Sequence, residues 1–287
     1  MTNELIHGRI AYAHNGPPTS RTVIIFFVGI MGLGTAANVS EPCRELQAHW
    51  IAPTLPGMGR SGTRDCSVPY YVNLANDINV LLNHLSPTGD FDALYFSGGS
   101  YGTVPAQMLY GAPYDLFPSG RKIAGMLLLN GLSPLRHHAG YATTLRWNNW
   151  VSIGPPTRII PFRLLQRLFK AVIGYKLRSV EGAKQFLKAT VFDKMDDGEK
   201  QLDEHTVSDT IHSDWGFDPR TLDEEHSTKP VLVVGSKNDH IGGSTNDWLV
   251  ANYKSAIKLK LLPGGHISSL FIMDELWRDL IEAARSA

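Results

Sequence analysis

Ser100 lies in Gly98-Gly99-Ser100-Tyr101-Gly102, a G-x-S-x-G pattern between the apolar run Ala93-Leu94-Tyr95-Phe96 and a helical segment with Pro105 near its first turn. Proline is tolerated there, because the first N–H groups of a helix have no partner within it. A serine on a sharp turn between strand and helix projects its hydroxyl above the sheet. Flanking glycines remove side chains that would collide with the neighbouring strand and helix. The start of the helix adds positive potential where an oxyanion would develop. This arrangement suits nucleophilic attack on a carbonyl, for which a serine hydroxyl needs an adjacent base. Of the eleven histidines, His266 stands apart: it ends Lys258-Leu-Lys-Leu-Leu-Pro-Gly-Gly-His266, in a loop between an apolar run and a helical one. The base in turn needs an acid to orient it and stabilise its cation. Asp239 ends Val231-Leu-Val-Val-Gly-Ser-Lys-Asn-Asp239, just past a strongly apolar run, with Asp247 as a weaker rival nearby.

These residues require a framework of strands and helices. Thr22 to Gly29 is almost entirely apolar, as expected of a strand buried on both faces of a parallel sheet. His49 to Gly57 reads as a weaker strand, and Ala93 to Ser100, Ala124 to Gly131, Pro230 to Asp239 and Ile257 to Gly265 as further strands. Between Val72 and Leu85, the residues Leu74, Ile78, Leu81, Leu82 and Leu85 recur at helical spacing. Helices are also expected around Asp247 to Tyr253 and from Leu270 to Ala284. Repeated strand–helix units imply an α/β fold, a mostly parallel sheet flanked by helices.

The alternation fails between Ser133 and His226, where amphipathic runs and a proline-rich stretch replace strands. The expected division is a core over residues 1–132, a helical cap inserted over 133–226 before the strand carrying the acid, and the rest of the core over 227–287. A separate linked domain is the alternative, but the strands on either side need each other to complete one sheet. Trp147, Trp150 and Phe162 are candidates for a substrate pocket. The cap's own packing would equally use such aromatic residues.

With 27 basic and 27 acidic side chains, the chain has no net charge and no electrostatic reason to bind nucleic acid or an anionic membrane. Cys43 and Cys66 are too few for a disulfide framework, and free thiols in a reducing compartment are expected. The most apolar stretch, Thr22 to Ala37, carries three glycines and falls short of a membrane span. A soluble, cytoplasmic protein without metal or organic cofactor is expected, acting on a small-molecule substrate.

The chain resembles the α/β-hydrolase fold superfamily, in its serine-nucleophile branch, over nearly its whole length. Gly98 to Gly102 is similar to the GGSWG of prolyl-aminopeptidase-like members, and Leu55-Pro-Gly-Met-Gly-Arg-Ser-Gly62 to the family's PGxGxS turn. The motif order, with the sequence Ser, Asp, His, is also the family's. The resemblance implies Ser100, Asp239 and His266 as a catalytic triad. It also implies an oxyanion hole from the backbone N–H groups of Tyr101 and Ile30. In many relatives the loop supplying the second donor begins His-Gly; here it reads Val28-Gly29-Ile30-Met31-Gly32, and Val28 replaces the histidine. Dehalogenases and epoxide hydrolases of this fold carry an aspartate where this chain has Ser100. The leading expectation is hydrolysis of a small or medium carboxylic ester. An aminopeptidase or amidase stays open, as does a lyase, a biosynthetic enzyme or a ligand receptor on the same framework.

Overall fold

The computed structural model describes residues 4–6, 10–29, 34–143, 145, 147, 150, 154–155, 210–239 and 243–287. Its strands are β1 (Glu4–Ile6), β2 (Ile10–Asn15), β3 (Thr22–Phe27), β4 (His49–Pro53), β5 (Ala93–Gly99), β6 (Ile123–Leu129), β7 (Val231–Ser236) and β8 (Ala256–Leu262). They form one sheet in the order β1-β2-β4-β3-β5-β6-β7-β8. From β4 to β8 every pairing is parallel, whereas β1–β2 and β2–β4 are antiparallel. The six strands expected from sequence are all present, one to four residues shorter at their C-terminal ends. The hairpin of β1 and β2 was not anticipated.

The apolar runs serve two cores at once, because successive side chains of a strand point to opposite faces. Val23, Ile25, Phe27, Ile51, Leu94, Phe96, Met126, Leu128, Val231 and Val233 face one core. There they meet α2 (Tyr70–Leu85) and α3 (Thr103–Tyr110). Ile24, Trp50, Ala52, Tyr95, Leu127, Leu129, Leu232 and Val234 face the other. Cys43 of α1 (Glu41–Glu45) packs on that side, as do Leu276, Trp277, Leu280 and Ile281 of α5 (Met273–Ser286). Between β7 and β8 lies α4 (Gly243–Asn252), whose Leu249 joins the first core. The fully buried Trp277 meets Trp50 and Tyr95 edge-on, at ring distances of 5.8 and 6.2 Å. Cys43 is buried, Cys66 is exposed, and both are free thiols.

Strands β6 and β7 are adjacent and parallel, although residues 130–230 separate them in the chain. Most of the expected cap, 156–209, lies outside the described residues. The return to β7 is anchored by Tyr110, whose hydroxyl bonds to the carbonyls of His226 and Lys229 at 2.7 and 2.8 Å. His226 stacks on Tyr114 at 4.2 Å. Among the described residues, no helix is long and apolar enough to cross a membrane.

At the antiparallel side of the sheet, His14 of β2 and His49 of β4 share a hydrogen bond of 3.0 Å between Nδ1 and Nε2. His49 is fully buried. Burial, together with repulsion from His14, lowers its pKa to about 4. The folded state therefore resists a proton that the unfolded chain takes up below its ordinary value, and stability is lost as pH falls from that value towards the folded one. Between about pH 7.5 and about pH 5 this effect amounts to about 2 kcal/mol. Urea unfolding should show that loss in the wild type, and His49→Gln should flatten the acid side of the curve. An unchanged slope in His49→Gln would exclude His49 as its source.

Candidate active site

The parallel strands bring their C-terminal ends to one edge of the sheet, where open α/β sheets place their ligands. Ser100 follows β5, Asp239 follows β7 and His266 follows β8 at that edge.

Strand β5 stops abruptly at Gly99, and Ser100 to Gly102 form a single tight 3₁₀ turn that runs straight into α3. Ser100 has φ +53°, a left-handed conformation that a serine holds only when its surroundings impose it. The glycines on either side impose it by closeness. A Cβ on Gly98 would stand 2.2 Å from the Gly102 carbonyl oxygen, and one on Gly102 would stand 2.1 Å from the Phe27 oxygen. Gly102 has helical angles, φ −61° and ψ −17°, so it is glycine for lack of a side chain and not for backbone freedom. Gly99 differs, because a Cβ there meets nothing within 4 Å.

Behind the turn, polar side chains fix the elbow to the neighbouring strand. The Thr103 hydroxyl donates to the Ser100 carbonyl at 2.6 Å and accepts from the Leu132 N–H at 3.0 Å. Gln107 donates to the carbonyls of Thr103 and Leu132, and its own oxygen accepts from Tyr253. All three side chains are buried, so these bonds satisfy groups that would otherwise be costly to desolvate. Tyr101 is buried too, and burial pushes its phenol up to about 12, which keeps it protonated.

The loops after β7 and β8 are tied together by backbone bonds from Lys237 to Leu262 (2.9 Å) and from Asn238 to Gly264 (3.0 Å). Gly264, at φ +102°, turns the second loop back over the edge. His266 Nδ1 then lies 3.0 Å from Asp239 Oδ1. The aspartate side chain is fully buried and the imidazole about a quarter exposed. The acceptor-only carboxylate selects the tautomer with its proton on Nδ1, leaving Nε2 with a free lone pair. The second carboxylate oxygen, Oδ2, accepts from Asn130 Nδ2 at 3.0 Å. Sequence reading passed over Asn130 because it is not a carboxylate. Its signal was the Asn-Gly pair ending a strand, a place where asparagine readily adopts the φ of +48° seen here.

Ile30 and Phe162 lie outside the described residues. Gly29, the residue before Ile30, packs against the elbow: its Cβ position would be 3.5 Å from Ser100 Cβ. Trp147 and Trp150 stack at 5.6 Å, with Trp147 largely exposed. His138 is buried, stacked on Trp248 and bonded through Nδ1 to the Ser133 hydroxyl at 2.7 Å. This second Ser–His pair is closed to substrate, since Ser133 has no exposed surface. Among the described residues, no cluster of His, Cys, Asp or Glu is arranged to hold a metal.

The elbow's steric demand is directly testable. Gly102→Ala should destabilise the fold by about 3 kcal/mol or more, since the new methyl meets backbone that cannot swing aside. Gly99→Ala should unfold with wild-type stability. Equal denaturation midpoints for both variants would refute the close approach of elbow and β3.

Comparison with known proteins agrees with this geometry. No curated protein matches the sequence. Solved structures match over nearly the whole chain. The esterase RhEst1 from Rhodococcus sp. ECU1013 has a TM-score of 0.60 and 17% identity, covering 96% of this chain and 94% of the other. A hydrolase from Pseudomonas aeruginosa PA01 has a TM-score of 0.58 and 16% identity, covering 97% and 94%. A structure from work on carboxylesterases of the thaumarchaeon Nitrososphaera gargenis has a TM-score of 0.53 and 15% identity, covering 98% of each chain. At these identities the likeness establishes the fold. The family model described as "Alpha/beta hydrolase family" matches residues 36–283, which is most of the sequence. The chain belongs to the alpha/beta hydrolase family.

Proposed function

We propose that the protein is a serine hydrolase that cleaves a small or medium carboxylic ester through an acyl-enzyme. The observation that carries this reading is the pairing of His266 with the buried Asp239 at the sheet edge where Ser100 stands on its left-handed turn. The esterases among similar folds support the choice of ester.

In this reading His266 Nε2 removes the Ser100 proton as Oγ attacks the ester carbonyl, and Asp239 stabilises the imidazolium. The tetrahedral oxyanion accepts from the N–H of Tyr101 and, in the loop that Gly29 begins, from that of Ile30. His266 then gives its proton to the departing alcohol, leaving the acyl group on Ser100. Water, deprotonated by the same Nε2, attacks the acyl carbon, and the acid leaves as the proton returns to Ser100. Trp147 and Trp150 are proposed to contact the acyl or alcohol group, together with Phe162, in a cap over residues 133–226.

Hydrolysis of p-nitrophenyl acetate and butyrate by wild type, Ser100→Ala and His266→Ala tests the reading. Both variants should lose at least about a thousandfold in kcat/KM, with stoichiometric fluorophosphonate labelling confined to proteins that retain Ser100. Turnover of a prolyl-arylamide in place of esters would redirect the assignment to an aminopeptidase. Equal labelling of wild type and Ser100→Ala would overturn the serine nucleophile itself.

A further inference from the structure

We propose that Asn130 is a positioning residue for the acid–base pair, holding Asp239 in the one orientation that meets His266. The inference rests on reading Asp239 and His266 as acid and base. Asn130 ends the β6 segment, is almost completely buried and is anchored through its own N–H to the Val234 carbonyl of β7 at 2.7 Å. Its amide nitrogen donates to Asp239 Oδ2 at 3.0 Å and to Ser236 Oγ at 2.9 Å. Its oxygen accepts from Ser269 Oγ at 3.0 Å. Three partners thus engage the amide from the β7 strand, the loop after it and the segment following His266.

The chemistry fixes which way the amide faces. An ionised carboxylate can only accept, so the nitrogen must point at Asp239 and the oxygen at Ser269. His266 and Asn130 take different oxygens of Asp239. Together they stop rotation of the carboxylate about its last side-chain bond. Ser269 lies three residues beyond His266, so the amide also ties the carboxylate to the segment that carries the base. Supporting partners of this kind typically alter a site's function by about ten- to a hundredfold.

The test is the rate at which a fluorophosphonate labels Ser100, which requires no knowledge of the natural substrate. It is measured against pH in full-length wild type, Asn130→Gly, Asn130→Asp and a Ser100→Ala blank, with thermal melts alongside. Asn130→Gly tolerates the left-handed backbone and should label about ten- to a hundredfold more slowly, at a ratio to wild type that does not vary with pH. Asn130→Asp keeps the size and puts an oxygen where the donor was. Of the groups hydrogen-bonded to Asn130, Ser236 and Ser269 are neutral and Asp239 titrates, so the new carboxyl shares a proton with Asp239. That proton can replace the amide N–H at low pH and is lost as pH rises, so the ratio of Asn130→Asp to wild type should fall with increasing pH. A residue that merely fills space would leave a folded Asn130→Gly labelling at the wild-type rate. A flat Asn130→Asp ratio overturns the proposal, as does wild-type labelling by a folded Asn130→Gly. If Asn130→Gly fails to fold, the Asn130→Asp profile decides alone. Wild type that does not label at Ser100 overturns the serine-hydrolase reading, and this inference falls with it.

Discussion

A carboxylate with no exposed side-chain surface stands at the centre of this site, and much of the surrounding structure follows from what such a group demands. Burying an unpaired charge costs several kcal/mol, so Asp239 must be met by donors from the protein itself. His266 and Asn130 supply them from two different strand ends. Those ends can converge only if β6, β7 and β8 lie side by side and run the same way, as they do. The ordered pairing of three strands and the charge of one aspartate are therefore mutually dependent. A slipped register in β7 would strand the carboxylate, and a lost carboxylate would leave two loops without their common anchor.

The elbow represents a second kind of constraint, one of space. Gly98 and Gly102 are set by the distance between β5, α3 and the end of β3, and not by torsion angles. The strain at Ser100 is held by bonds from Thr103 and Gln107 that stiffen the backbone on the far side of the turn. Strain of about 1–3 kcal/mol at one residue persists only when surrounding contacts over-determine it. Here those contacts come from a helix in which every residue is buried.

Residues whose environment is dictated by local pattern were legible from sequence. The run from Val231 to Asp239 announces both a doubly buried strand and the carboxylate at its end, and Gly98 to Gly102 announces the turn. The β2 strand was missed because Ile10, Ala11, Tyr12 and Ala13 are all buried and show no alternation, leaving a short apolar run without a period. Asn130 was discounted because its importance lies in whom it faces, which depends on strands that meet only after folding. The burial of His138 is not legible either, because nothing local marks the Trp248 ring that covers it. The start of α4 at Gly243, before the expected Asp247, and the 3₁₀ turn over Ser268–Ile272 ahead of α5 are differences of helix initiation, which apolar spacing does not encode.

The separation of β6 from β7 by residues 130–230 also sets an order of events during synthesis. Chains emerge from the ribosome at about 5–20 residues per second, N-terminal parts first. The strand that ends at Ser100 is therefore available for many seconds before those that bring Asp239 and His266. During that interval β6 has an open edge where β7 will later pair, and Ser100 stands without Asp239 and His266 beside it. Completion of the sheet and assembly of Ser100, Asp239 and His266 along its edge are consequently one event, and it belongs to the last stage of folding.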